Sequence, residues 1–219
     1  MSSITKLSIQ GIRSFSPNQE ETIEFYSPLT MIVGANGCGK TSIIEALKYA
    51  CTGALPPTCR NGQSFINDPT MTDATEVKAC VKLRFTNKAN KNTVCIRSMQ
   101  LSKKKTKLEF KALDGCIRTV NDQGAQVATS HKCSELDKHV PELLGVSPAI
   151  MENVIFCHQE DSSWPMGEGI VLKKKFDDVF ESTRYTKALE AVMKTKKDYV
   201  MKVQRRPPLT RCAHLLFYF

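Results

Sequence analysis

The sequence predicts an α/β fold in which an antiparallel β layer accompanies a phosphate-binding turn and a long helix follows. Three observations predict it. Residues 28–49, PLTMIVGANGCGKTSIIEALKY, run from an apolar stretch through a glycine-bracketed turn into an amphipathic segment. Residues 76–85, EVKACVKLRF, alternate between apolar and polar, the period of a strand with one buried face. Tyr185, Leu189, Val192, Tyr199 and Val203 fall on a 4-3-7-4 spacing, a heptad seam of the coiled-coil type.

In chain order, residues 4–12 read as a strand with Leu7 and Ile9 on one face and Lys6, Ser8 and Gln10 on the other. ETIEFY, residues 21–26, reads as a second. Residues 29–33 are almost wholly apolar, as expected of a parallel strand covered on both faces. Ile43, Ile44, Leu47 and Ala50 then give the next helix a face to bury. Residues 52–74 are too rich in Pro, Gly, Asn and Asp for regular structure. In the β layer, Val77, Ala79, Val81, Leu83 and Phe85 share one face and Lys78, Cys80, Lys82 and Arg84 the other. NTVCIRSMQL, KLEFKAL and CIRTV continue it as antiparallel strands joined by polar turns. Short helices are expected at 134–144 and 149–153 around Gly145, a buried strand at VIFC (154–157), and helix from about Val171. Lys196 occupies one slot of the heptad seam, and so short a seam needs a partner.

The chemistry concentrates at Gly34, Gly37, Gly39, Lys40 and Thr41, which match G-x-x-x-x-G-K-[ST]. Glycines let the backbone turn through positive φ and bring successive N–H groups close to phosphate oxygens. The positive end of the following helix reinforces that nest. Lys40 is placed to reach the β- and γ-phosphates, and the Thr41 hydroxyl to ligate Mg²⁺. A guanine-reading N-K-x-D motif is missing: NKAN, residues 87–90, lacks the Asp. The strand expected at VIFC ends in His158–Gln159 rather than in an acid, and Glu160 and Asp161 come later. Gln159 is either a Mg²⁺ and water ligand through its amide oxygen or a polar loop residue. Cys38, inside the loop, is either a thiol activated by the helix and Lys40 or an unreactive small residue.

Bulk properties bound the rest. An apolar fraction of 41% and a charged fraction of 24% are those of an ordinary globular chain. No apolar run approaches membrane-spanning length, so no membrane partner is expected. Nine cysteines without a C-x-x-C pair argue for free thiols rather than a disulfide framework or a zinc site. Of the net +9, residues 170–206 carry +6, from eleven Lys or Arg against five Asp or Glu. A second basic cluster is Lys103 to Lys107, KKKTK. Each is a solvated face or a contact for polyanion backbone.

The run ENVIFCHQEDSSWP (152–165), with LKKKFDDVFESTRYTKALE after it, resembles the N-terminal lobe of the RAD-fifty family. These are the SMC-like ABC ATPases of the MRN double-strand-break repair complex. KLSIQGIRSF, the phosphate loop with IIEALKY and CTG, and SFINDP fit the same pattern, so the resemblance covers roughly residues 1–203. It implies a P-loop NTPase with an ABC/SMC-type head lobe at 1–169, the start of a coiled-coil helix at 170–204 and a divergent tail at 205–219. It implies ATP and Mg²⁺ as ligands. Arg13 would meet the phosphates, and Asn36, Gly37, Gly39, Lys40, Thr41 and Ser42 would cradle them. Ile66 and Asp68 would line the nucleotide, and Thr41 and Gln159 would complete the Mg²⁺ shell. Arg13 as an ordinary ion-pair partner and Asp68 as a turn former before Pro69 remain the alternatives.

The resemblance further implies double-stranded DNA, the partner nuclease of the MRN complex and a second head lobe or ATPase subunit as partners, at chromosomes in the nucleus. The family's S-G-G-type signature, strand-end Asp–Glu pair, switch His and zinc hook have no counterpart in these 219 residues. Hydrolysis by this chain alone is therefore not expected, since charge neutralisation and water positioning carry phosphoryl transfer. A non-hydrolysing ATP-binding module that competes for head or nuclease contacts is the alternative, and an unrelated P-loop kinase a lesser one. From about Arg205 the chain departs from the family pattern, with Pro207 and Pro208 ending the helix.

Overall fold

The computed structural model describes residues 2–56, 59, 61–69, 74–104, 107–120, 125–156, 164–180 and 182–204. Two compact units divide the chain, residues 1–159 and 160–219.

The first unit is built on one six-stranded antiparallel sheet in the order β2-β1-β3-β4-β5-β6. The strands are β1 Ser3–Gln10, β2 Glu21–Glu24, β3 Glu76–Thr86, β4 Asn92–Lys104, β5 Lys107–Val120 and β6 Gln126–His131. Alternation carries through from sequence to core. Leu7 and Ile9 of β1, and Val77, Ala79, Val81, Leu83 and Phe85 of β3, are all at most 2% exposed. Register stacks them across the sheet: Leu7 faces Leu83 and Ile9 faces Val81, while Ala79 faces Met99 and Val77 faces Leu101 on β4. Helices α1, Lys40–Thr52, and α2, Cys133–Leu144, supply Ala46, Tyr49, Ala50, Leu136 and Val140 to the same core. Each helix ends on a left-handed glycine, Gly53 (φ 73) and Gly145 (φ 74), the usual C-terminal stop.

Four sequence expectations are corrected. Residues 29–33 form no strand; Leu29, Met31 and Val33 are 71%, 76% and 85% exposed. A parallel strand draws its stability from neighbours on both sides, and every pair in this sheet is antiparallel. Val154 to Phe156 of VIFC form no strand either, and Cys157 lies outside the described residues. After a single turn, α3 Pro148–Ile150, the chain widens into a π-helical turn, Met151–Ile155, and short apolar runs do not by period alone distinguish strand from helix. KLEFKAL and CIRTV are one continuous strand, β5. Its register shifts between Ile96 and Ser98 of β4, so Asp114 and Gly115 are taken up as a bulge rather than a turn. The fourth holds in part: on α1 Ala50 is buried and Ile43 and Leu47 pack against the core as expected, but Ile44 is 44% exposed, and Ser42, Glu45, Ala46, Tyr49 and Cys51 complete the buried set.

The second unit contains α4, Gly169–Val179, and α5, Thr183–Gln204. The seam residues Tyr185, Leu189, Val192, Tyr199 and Val203 are all exposed along α5. No described helix is long and apolar enough to cross a membrane.

Candidate nucleotide-binding site

The turn before α1 is left-handed at Gly37 (φ 86) and Gly39 (φ 82). Neither position suits a side chain, and a Cβ on Gly39 would stand 3.6 Å from the Phe15 ring. The first helical bond closes from Ile43 N–H to Gly39 O at 3.0 Å, and no side chain caps the helix. The opening N–H groups of α1 are thus left for a ligand. Lys40 folds back along its own loop, Nζ donating to Gly34 O and Ala35 O at 2.7 Å each. Asn36, Gly37, Cys38 and Thr41 are exposed, and Ser42 is buried. The far end of α1 carries the complementary charge. Arg97, 3% exposed on β4, donates from Nε to Ala50 O at 3.0 Å, a guanidinium at the negative end of the helix.

Beside the loop, the chain leaving β1 turns through Gly11 (φ 66) and Arg13 (φ 47). Ile12 bridges Ile66, which is 3% exposed, so the Ile66 side chain belongs to the core. Asp68 is exposed and precedes the buried Pro69. The Arg13 guanidinium lies on Glu45 of α1, with Nη2 donating to Oε1 at 3.0 Å and Nε 2.8 Å from Oε2. Lys40, Arg13 and the loop glycines therefore gather at one end of α1. Gln159 falls outside the described residues, as do His158, Glu160 and Asp161, and with it one half of the expected Thr41–Gln159 magnesium pair. Among the described residues, no group of three or more His, Cys, Asp or Glu could hold a metal.

Sequence reasoning passed over Glu45 and Asn67. Hydropathy places an acid on the solvent side of a helix, yet Glu45 is 5% exposed. Its partner is 32 residues away, so no local signal marks it.

The seven described cysteines are free, and most are chemically quiet. Burial pushes the Cys51 thiol up to about 12 and the Cys95 thiol up to about 11, and raises Cys80 and Cys133 as well. Cys38 is exposed.

A glycine-bracketed loop opening a helix, laid against an antiparallel layer, defines the N-terminal lobe of an ABC/SMC-type P-loop head. The chain belongs to the AAA domain family, whose model matches residues 6–206. It is similar to DNA repair protein RAD50 of Arabidopsis thaliana, 52% identical over 205 residues, covering 93% of this chain and 16% of that protein. RAD50 of Saccharomyces cerevisiae is 52% identical over 204 residues with the same coverage, and that of Drosophila melanogaster 43% over 205. The chain thus spans about a sixth of the length of the curated relatives it matches. Its fold is that of solved SMC ATPase heads. One comes from work on ATP-driven dimerization and DNA-stimulated activation of SMC ATPases (TM-score 0.52, 20% identity, 80% of this chain and 98% of that one). Another is the Smc head domain with coiled coil and joint of Pyrococcus yayanosii (TM-score 0.51, 18% identity, 94% and 37%).

Proposed function

We propose that this chain is the ATP-binding N-terminal half of an SMC-like ATPase head acting in DNA double-strand-break repair at chromosomes in the nucleus. ATP binding drives head dimerisation, clamps double-stranded DNA and controls a partner nuclease. Mg-ATP sits on the N-terminus of α1, its phosphates among Asn36, Gly37, Gly39, Lys40, Thr41 and Ser42, with Arg13 at the rim. Ile66 and Asp68 lie on the segment bordering that rim, and Thr41 and Gln159 hold Mg²⁺. The observation that carries the reading is the open start of α1, with the Lys40 ammonium resting on two loop carbonyls that a triphosphate would replace. The remaining head surfaces belong to a second lobe, which also buries residues 29–33 and the half-exposed Val154 and Ile155. Similarity to RAD50 proteins six times as long supports this division. Turnover by this chain alone is accordingly absent, and robust hydrolysis by pure protein would refute the half-site view.

The test is a titration with Mg-ATP read by the loop's own thiol. Cys38 is exposed in the loop while Cys51 and Cys95 are buried and held protonated, so a maleimide at neutral pH reacts at Cys38 well ahead of those two. Bound Mg-ATP is expected to slow Cys38 labelling about tenfold or more, and the alkylated chain to lose nucleotide. Equal labelling rates with and without Mg-ATP, read by peptide mass, would remove the proposed site.

DNA contact is proposed at the β4–β5 hairpin. Lys103 and Lys107 are exposed near its tip, where Lys103 faces Leu108 across the strands. Their double replacement by Gln should weaken duplex binding alike for all sequences and lower the salt slope by about two. An unchanged slope would make the hairpin a solvated surface.

A further inference from the structure

The corner between β1 and the phosphate loop carries two unfavourable features in one place. Arg13 has φ 47, a left-handed conformation that a residue with a Cβ adopts rarely. The Oδ1 of Asn67 is buried without a hydrogen-bond partner among the described residues, an arrangement folded proteins seldom keep. Costs gathered next to a ligand site point to a geometry retained for use.

Two groups impose that geometry on Arg13 from opposite sides. Asn67 holds its backbone: Nδ2 donates to Arg13 O at 2.7 Å and reaches Phe15 O at 3.5 Å, while the Asn67 N–H donates to Gly11 O at 2.9 Å. Glu45 holds its guanidinium through two contacts, at 3.0 and 2.8 Å, from a side chain 6% exposed. Arg13 N–H is taken by Phe65 O at 2.9 Å, so both ends of the residue are fixed. The next two residues then lie beside Gly39 of the phosphate loop. A Cβ at Gly39 would meet the Phe15 ring at 3.6 Å and Ser14 Oγ at 3.8 Å. Any shift of the 13–15 corner is therefore felt at the start of α1, where the nucleotide is placed.

We propose that Asn67 and Glu45 are positioning residues of the nucleotide site, Asn67 setting the backbone and Glu45 the guanidinium of Arg13 at the rim of the phosphate loop. The proposal rests on the reading that this loop binds Mg-ATP. Neither residue touches the nucleotide; both act through Arg13. A guanidinium free to swing spends conformational entropy on each encounter with phosphate, whereas one held by a carboxylate and a fixed main chain meets it pre-organised.

The experiment is a double-mutant cycle on Mg-ATP affinity by calorimetry, with melting temperature measured on every variant. Arg13→Ala and Asn67→Ala are each expected to weaken Mg-ATP about tenfold. Arg13→Ala/Asn67→Ala should also lose about tenfold rather than about a hundredfold, because both changes remove the same contact. Glu45→Gln should weaken binding in the Arg13→Ala background not at all and in the wild-type background severalfold. Should Asn67→Ala not fold, Asn67→Ser keeps a polar group with shortened reach and is expected to fall between wild type and Arg13→Ala. An ordinary structural clamp would lower the melting temperature while its effect on affinity added independently to that of Arg13→Ala; that result, or wild-type affinity in Asn67→Ala and Glu45→Gln, overturns the proposal. If the wild-type chain binds no Mg-ATP, the nucleotide-site reading falls and takes this one with it; if wild type binds and only the cycle fails, the reading of the loop stands.

Discussion

Lys40→Ala is expected to weaken Mg-ATP binding by about a hundredfold or more while moving the melting temperature by no more than a few degrees. The two effects separate because Lys40 does different work in the two states. In the unliganded loop its ammonium satisfies Gly34 O and Ala35 O, carbonyls on an exposed turn that water can satisfy instead at little cost. Against a triphosphate the same ammonium meets the most highly charged part of the ligand, where hydrogen bonds between ions are roughly twice as strong as neutral ones. Lys40→Arg is not a rescue. A broad planar fork does not fit where a compact ammonium reaches back across the loop. Calorimetry alongside thermal melts checks both halves. Wild-type affinity in Lys40→Ala would remove the phosphate-loop reading, and a collapse of the melting temperature would show that the loop is structural.

Asp137→Ala is expected to destabilise the fold by about 2–3 kcal/mol, less than the 3–5 typical when a fully enclosed ion pair is broken. Arg97 is the reason for the size of the effect. It projects from β4 into the core, 3% exposed. Its Nη1 donates to Asp137 Oδ1 at 2.6 Å, its Nε to Ala50 O at 3.0 Å, and its guanidinium lies 5.7 Å from the centre of the Tyr49 ring. Nη2 is buried with no partner among the described residues. Removing the only acidic partner described for this guanidinium leaves a buried charge; the discount comes from Asp137 itself, whose side chain is 41% exposed and already partly screened. Arg97→Met is expected to cost less than Asp137→Ala, because an apolar chain of similar length removes the desolvation penalty with the charge. The pair Asp137→Ala/Arg97→Met should then recover most of what Asp137→Ala alone loses. Urea denaturation of the four proteins measures it. A single mutant Asp137→Ala as stable as wild type would show that water reaches the guanidinium. Gly53 belongs to the same junction: a Cβ there would fall 1.9 Å from Asp137 Oδ1, so the helix stop and the ion pair share one space.

The glycine turn opening α1 could be read directly because its pattern is contiguous: eight residues carry the glycines, the ammonium and the hydroxyl. The β3 face could be read for a related reason, since a period of two is visible within one strand, and Val77 to Phe85 went to the core as the alternation requires. Legibility failed wherever the deciding partner lay far along the chain. Ile66 and Asp68 drew attention, while Asn67 between them makes the contact to Arg13 across 54 positions. Asp114–Gly115 looks like a turn, but β5 runs on because β4 holds it on both sides of a bulge.

Local order along the polypeptide was enough to specify a glycine-bracketed turn, a helix behind it and a half-buried antiparallel layer, since each depends on neighbours within a few residues. Packing had to settle the rest: that Glu45 turns inward to meet Arg13, that a charged Arg97 stands under the end of α1, and that the apolar residues 29–33 stay outside the sheet. Those outcomes depend on which groups are brought together over tens of residues, and a charge or an apolar run acquires its place only when its partner in space is known.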